Sequence, residues 1–225
     1  LAHRLVTTPR DVDISGHLSD PRVIATLLLF RAIGNGQSAI LLCDRGLLVD
    51  GRNATRSLAE CALHFIALKN DPSHYTAMAG DELASRKGRD KLMLGFGSDL
   101  SPEQIKIVKE HLDCAEAQGK IRKVDLSKID ALPDADIHYL IYRQLSADAA
   151  HVSLESVSRY LNYSADGIIE SVTILPTGAE PQISQTLAWT CQLVVTYTSL
   201  RVSIRFETCL RIMVGINCLL LTRPS

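Results

Sequence analysis

LVDGRNATRSLAECALHFIALKNDPS, residues 48–73, is the stretch on which the fold turns. Leu58, Cys61, Ala62, Phe65 and Ile66 recur at the i, i+3, i+4, i+7, i+8 spacing of one helix face. The run from Leu48 to Lys69 is far longer than an ordinary strand. Asn70-Asp71-Pro72-Ser73 is turn chemistry and ends it. A helix with one wide apolar face must bury it against other elements.

The flanking sequence supplies them. Asp20-Pro21 reads as a helix cap followed by proline in the first turn. From Val23 to about Cys43, Ile24, Leu27, Leu28, Phe30, Ile33 and Ile40 keep helical spacing, and Gly46 marks the end. Gly34 and Gly36 weaken that helix or admit a close neighbour. Downstream, a helix is expected from Ser73 to about Leu94, broken by Gly95-Phe96-Gly97-Ser98. Ser101-Pro102-Glu103-Gln104 has the form of a capping box and opens a helix to about Gly119.

Lys120 to Asp130 reads as a polar connector in which Ser127 caps a short turn. Pro133-Asp134 leads into a helix ending near Ala150, and Ser153 is expected to cap a short helix to Leu161. Asn162 to Gly167 is a turn, and Ile168 to Leu175 a short strand or extended loop. Pro181 to Leu221 reads as a long helix, despite the β-branched run Val194 to Thr198. The expected fold is all-α: a single bundle of about seven helices, with at most one short strand or hairpin near residues 168–175. Residues 1–20 read as a flexible N-terminal segment and 21–225 as one helical domain.

Bulk properties exclude several classes. The chain of 225 residues is 46% hydrophobic and 22% charged, which excludes a disordered chain. A net charge of −1 gives no global basic field for sequence-independent nucleic-acid binding. The six cysteines, Cys43, Cys61, Cys114, Cys191, Cys209 and Cys218, form no CxxC pair and read as buried, reduced, inert thiols, as in a reducing cytoplasm. The most apolar run, Ile212 to Leu221, is about half a bilayer span, so no membrane partner is expected.

Arg52, Arg56, Glu60 and His64 fall four residues apart and are expected on one face of the helix of residues 48–69, with Arg56 and Glu60 forming a mostly buried ion pair. Ser146, Asp148 and His151 lie too close together near a helix end to make a nucleophilic triad, and no nucleophile elbow is present. A metal site could use Glu60, His64, His138 and His151, but no HExxH motif supports it, so neither metal nor cofactor is expected. His3, His17, His74 and His111 read as solvent-exposed. Glu82 to Lys91, with Arg86, Lys87, Arg89 and Lys91, reads as a solvated helix face; a phosphate-binding patch is the sharper alternative.

Arg56-Ser57-Leu58-Ala59-Glu60, then Tyr142-Arg143-Gln144-Leu145-Ser146 and His151, resembles a bacterial helical family known as domain of unknown function 5677. The resemblance spans Val23 to Leu210 and implies a helical bundle without an assigned activity. A more distant similarity is to HEPN-like helical domains, many of them metal-independent RNases of toxin–antitoxin and phage-defence systems that act as dimers. It implies Arg143 and His151 as the catalytic pair, although the seven residues between them exceed the spacing of that signature. In that chemistry His151 is the general acid or base, Arg143 or Arg56 pairs with phosphate, and Glu60 orients an arginine.

Three functions remain open. The first is a polar cleft around Arg56, Glu60, Tyr142, Ser146, Arg52 and His151 that binds a protein partner or small ligand. The second is the RNase, with RNA as substrate and a homodimer as its form. The third is a purely structural polar network.

Overall fold

The computed structural model describes residues 17, 19–96, 100–117, 124–147, 154–173 and 180–199. Its helices are α1 (Pro21–Asp44), α2 (Leu48–Asn70), α3 (His74–Gly95), α4 (Pro102–Ala117), α5 (Leu126–Ile129), α6 (Asp136–Leu145), α7 (Leu154–Ser158) and α8 (Glu180–Ser199). A hairpin of β1 (Leu161–Tyr163) and β2 (Ile169–Val172) lies between α7 and α8. The fold is an all-α bundle.

The helix ends follow local chemistry. Asp20 caps α1, accepting from the Arg22 main-chain N–H at 2.8 Å, with Pro21 in the first turn. At α4 the capping box is reciprocal. The Ser101 N–H donates to Gln104 Oε1 at 2.8 Å, and the Gln104 N–H to Ser101 Oγ at 3.2 Å. At α5 the cap is Asp125, not Ser127: the Asp125 carboxylate accepts both the main-chain N–H and the hydroxyl of Ser127. A carboxylate is the stronger acceptor, so the serine becomes its donor.

α2 is the centre of the bundle. It packs on α1 along most of its length and also on α6 and α8, while α8 closes against α1. Leu58, Leu63, Ile66, Ile141, Leu145 and Leu193 are fully buried where these helices meet. α1 is long and apolar enough to cross a membrane by length and composition. Ala25, Leu28, Leu29, Ala32 and Ala39 are buried against the bundle, while Leu27 and Leu41 of the same helix are exposed.

Gly51 sets the closest approach of α1 and α2. A Cβ there would sit 2.7 Å from Cys43 Sγ and 3.5 Å from the Ala39 carbonyl oxygen. Gly51→Ala is therefore expected to lower stability by about 1–3 kcal/mol, although alanine in a helix interior is otherwise favoured by about 1 kcal/mol. Cys43→Ala in the same protein should recover most of the loss in chemical denaturation. An undiminished unfolding midpoint for Gly51→Ala alone would disprove the tight contact.

Two expectations need correction. The helix opening near Ser153 stops at Ser158 rather than Leu161. Leu161 to Tyr163 instead pairs antiparallel with Ile169 to Val172, in the register Leu161↔Val172, Asn162↔Ser171 and Tyr163↔Ile169. The reversal uses Gly167 at φ +77°, a conformation glycine adopts without penalty. The β-branched run near Val194 is helical as expected, because Leu193 and Val194 bury on the core side of α8. The run Ile212 to Leu221, residues 1–16 and His151 lie outside the described residues.

Candidate functional site

The four polar side chains of α2 do not share one face. Each step of four residues overshoots a full turn by about 40°, so three steps rotate the direction by about 120°. The row therefore divides among three neighbours. Arg52 meets α8, Arg56 meets α6 with Glu60 paired to it on α2, and His64 meets the start of α3.

Arg52 is 3% exposed, with its guanidinium carbon 5.4 Å from the centre of the Trp189 ring. That is within cation–π range, and the stem is buried with it. Arg52 belongs to the packing of α2 on α8 rather than to an open cleft. Its charge also reaches Cys43. Burial nevertheless dominates there and raises the thiol above its ordinary value.

Arg56 is the organising group. Its Nε donates to Ser146 Oγ at 3.0 Å, one terminal nitrogen to the Tyr142 hydroxyl at 3.2 Å, and the other to Glu60 Oε2 at 3.4 Å. The guanidinium carbon lies 4.9 Å from the centre of the Tyr142 ring. Ser146 Oγ in turn donates to the Tyr142 carbonyl at 2.7 Å. The serine proton is thus committed to a main-chain oxygen and not to a base, which is not how a nucleophile is held. The Arg56–Glu60 pair forms as expected but is half-buried, its side chains 21% and 35% exposed. Tyr142 and Ser146 cover one side of it and leave the other to solvent.

The Arg143 side chain is exposed and has no hydrogen bond or ion pair with any described residue. It does not join the Arg56 cluster, because adjacent residues on α6 point about 100° apart. The expected contact of His151 with Arg56, Glu60, Tyr142 or Arg143 falls outside the described residues.

His64 Nδ1 lies 3.0 Å from His74 Nε2, so one N–H bridges the two rings. His74 is buried, not exposed as the sequence suggested, while His17 and His111 are exposed. The missed signal was positional: residues just before and just after a tight helix–helix turn become neighbours. Burial holds His64 below its ordinary pKa, with Asp81 opposing and Arg31 adding to the shift. His138 on α6 is buried as well, with Nε2 2.8 Å from Thr196 Oγ1 on α8. Burial again lowers its pKa, opposed by the Asp134 main chain and the Asp136 and Asp134 charges.

Of the possible metal set, His64 and His138 turn to different neighbours and His151 lies outside the described residues; no group of three or more His, Cys, Asp or Glu among the described residues could hold a metal. Cys43 and Cys61 are buried free thiols, and burial pushes Cys61 up to about 11. Cys114 is exposed and Cys191 half-buried, so the expectation of buried thiols fails at Cys114. The Glu82 to Lys91 segment is a largely solvated face: Glu82 meets Arg86 at 3.4 Å and Arg89 at 3.7 Å, and Lys87 crosses to Glu116 on α4 at 3.0 Å. Asp90 on this segment is buried.

No curated protein and no solved structure is detectably similar to the chain. A family pattern does match, over residues 22–168, which spans α1 to the end of the β1–β2 turn and holds the whole Arg56 cluster. The chain belongs to that family, the family of unknown function DUF5677.

Proposed function

We propose that this chain is a binding module whose Arg56 cluster seats an anionic group, a carboxylate or phosphate, of a small ligand or protein partner. The supporting observation is a held but accessible cation. Ser146 and Tyr142 fix the guanidinium plane, while Arg56 keeps 21% of its side-chain surface. A pre-oriented arginine loses little entropy on pairing with a planar anion. The reducing cytoplasm remains the proposed location.

The RNase is a second reading, favoured by one observation: Arg143 is exposed beside Tyr142 and uncommitted among the described residues, as a phosphate-binding group would be. It requires His151 as general base and brings a homodimer with it.

One experiment addresses both. The protein is screened by thermal shift against nucleoside monophosphates and dicarboxylates, and single-stranded RNA is incubated with it in chelator. Under the binding reading, at least one anion raises the midpoint of wild type and not of Arg56→Gln. That variant itself should lose about 1–3 kcal/mol of stability: the partly exposed ion pair is worth little, but the hydrogen bonds to Ser146 and Tyr142 go with it. Equal shifts in both proteins, or none, would remove Arg56 as the seat. RNA cleavage lost in His151→Ala at unchanged thermal midpoint would replace binding by the RNase.

A further inference from the structure

A second feature of the bundle lies away from Arg56. Ile24, Leu27 and Leu28 of α1 face Tyr75, Met78 and Leu83 of α3 across a cavity of about 560 Å³. The residues on each helix follow the i, i+3, i+4 spacing of a packing face. Tyr75 and Met78 reach the edge of the core, but direct contact between the two helices is slight. α3 is held mainly by α4 and only lightly by α2. The volume is that of a small-molecule pocket, ~300–1,000 Å³.

The charged groups of this cavity gather at one end, and Ser19 lies at the other. Short turns at residues 45–47 and 71–73 reverse the chain twice, so α1 and α3 run in the same direction. Arg31, one turn beyond Leu27 and Leu28, therefore comes level with Glu82 and Arg86, and all three line the cavity. Glu82 is already covered by Arg86 and Arg89. The exposed Arg31 side chain has no hydrogen bond or ion pair with any described residue. That end thus carries an excess of positive charge, next to an apolar trough about 10 Å long at 1.5 Å per residue.

We propose that this cavity binds a single-chain anionic amphiphile, a fatty-acid carboxylate, with its alkyl chain between α1 and α3 and its carboxylate on Arg31. An uncharged lipid would leave the arginine without an anion, and a small hydrophilic anion would leave the apolar trough unfilled. The occupant that satisfies both ends carries one chain and one negative head.

The test is calorimetric titration of the full chain with octanoate, decanoate and dodecanoate below their micelle concentrations, and with dodecan-1-ol. One molecule is expected to bind per chain, with affinity rising by at most about threefold to fourfold per methylene and less steeply beyond decanoate, where the chain outruns the trough. Arg31→Gln should weaken dodecanoate about tenfold, the worth of a charged hydrogen bond, and leave dodecan-1-ol unchanged. Ala79→Trp should abolish binding, because Ala79 lines the cavity from an exposed position where a larger side chain can be carried. Leu27→Glu is the second blocking variant, at a side chain 47% exposed. A variant counts only with the wild-type circular dichroism spectrum. The proposal is overturned by absent saturation, by many molecules bound per chain, by binding that survives both blocking variants, or by equal weakening of acid and alcohol in Arg31→Gln.

Discussion

Leu58→Ala is expected to destabilise the protein by about 3–5 kcal/mol, the upper part of the range for a buried leucine. Leu58 has no exposed surface and lies where three helices meet. Its Cδ2 is 3.9 Å from where a Cβ would stand on Gly36 of α1, and Val194 of α8 approaches the same point at 3.6 Å. Because α1, α2 and α8 are each fixed by further contacts, the space left by the side chain cannot collapse. The cost is then the lost transfer energy plus the unfilled cavity. Urea denaturation should show a lower midpoint with the same dependence on denaturant. Leu58→Met, which conserves volume, should cost less than about 1.5 kcal/mol. Leu92→Ala, at a side chain 66% exposed, should cost almost nothing. A loss below about 1.5 kcal/mol for Leu58→Ala would mean that the three-helix junction is not the rigid centre of the bundle.

The second large effect is on the pH dependence of stability. His64 and His138 both have pKa values lowered by burial below the ordinary 6.5. Between the folded and unfolded values the unfolded chain binds more protons, so stability rises with pH. The stabilisation is fully present above about pH 6.5 and is lost as pH falls from there through the lowered folded values. Each proton taken up on unfolding contributes about 1.4 kcal/mol per pH unit, so the two together reach a slope of at most about 2.7 kcal/mol per pH unit. At His64 the geometry reinforces the effect, since a second proton on the pair would set two cations 3.0 Å apart.

Asp20, Glu116 and Asp125 also have lowered values, through hydrogen bonds to Arg22, Lys87 and Ser127 respectively. They act in a lower window, as carboxylates, and leave the range from 6.5 to 5 to the histidines. Urea midpoints measured from pH 7.5 to 5 should fall steeply for wild type and flatten for the His64→Gln, His138→Gln double variant. A flat wild-type profile across that range would contradict the burial of both rings.

How much of this was readable in advance depends on the range of the interaction. Asp20-Pro21, the Ser101–Gln104 capping box and the Asn70 to Ser73 breaker act within a few residues, and apolar spacing acts within one helix. The bounds of α1 to α4 and the all-α class were therefore legible in the amino acids alone, and so was the i, i+4 contact of Arg56 with Glu60. The strand at Leu161 to Tyr163 was not, because three residues become a strand only when Ile169 to Val172 pair with them. Tertiary packing alone decided how the polar row on α2 was shared out. The helix advances 100° per residue, and which neighbour lies in each direction depends on where α3, α6 and α8 dock. Hence Arg52 lies under Trp189, Arg56 is held by Tyr142 and Ser146, and His64 is turned to His74. The cavity between α1 and α3 has the same origin. Its two faces are ordinary helix stripes in the sequence, and only the position of α3, held mainly by α4, leaves space between them.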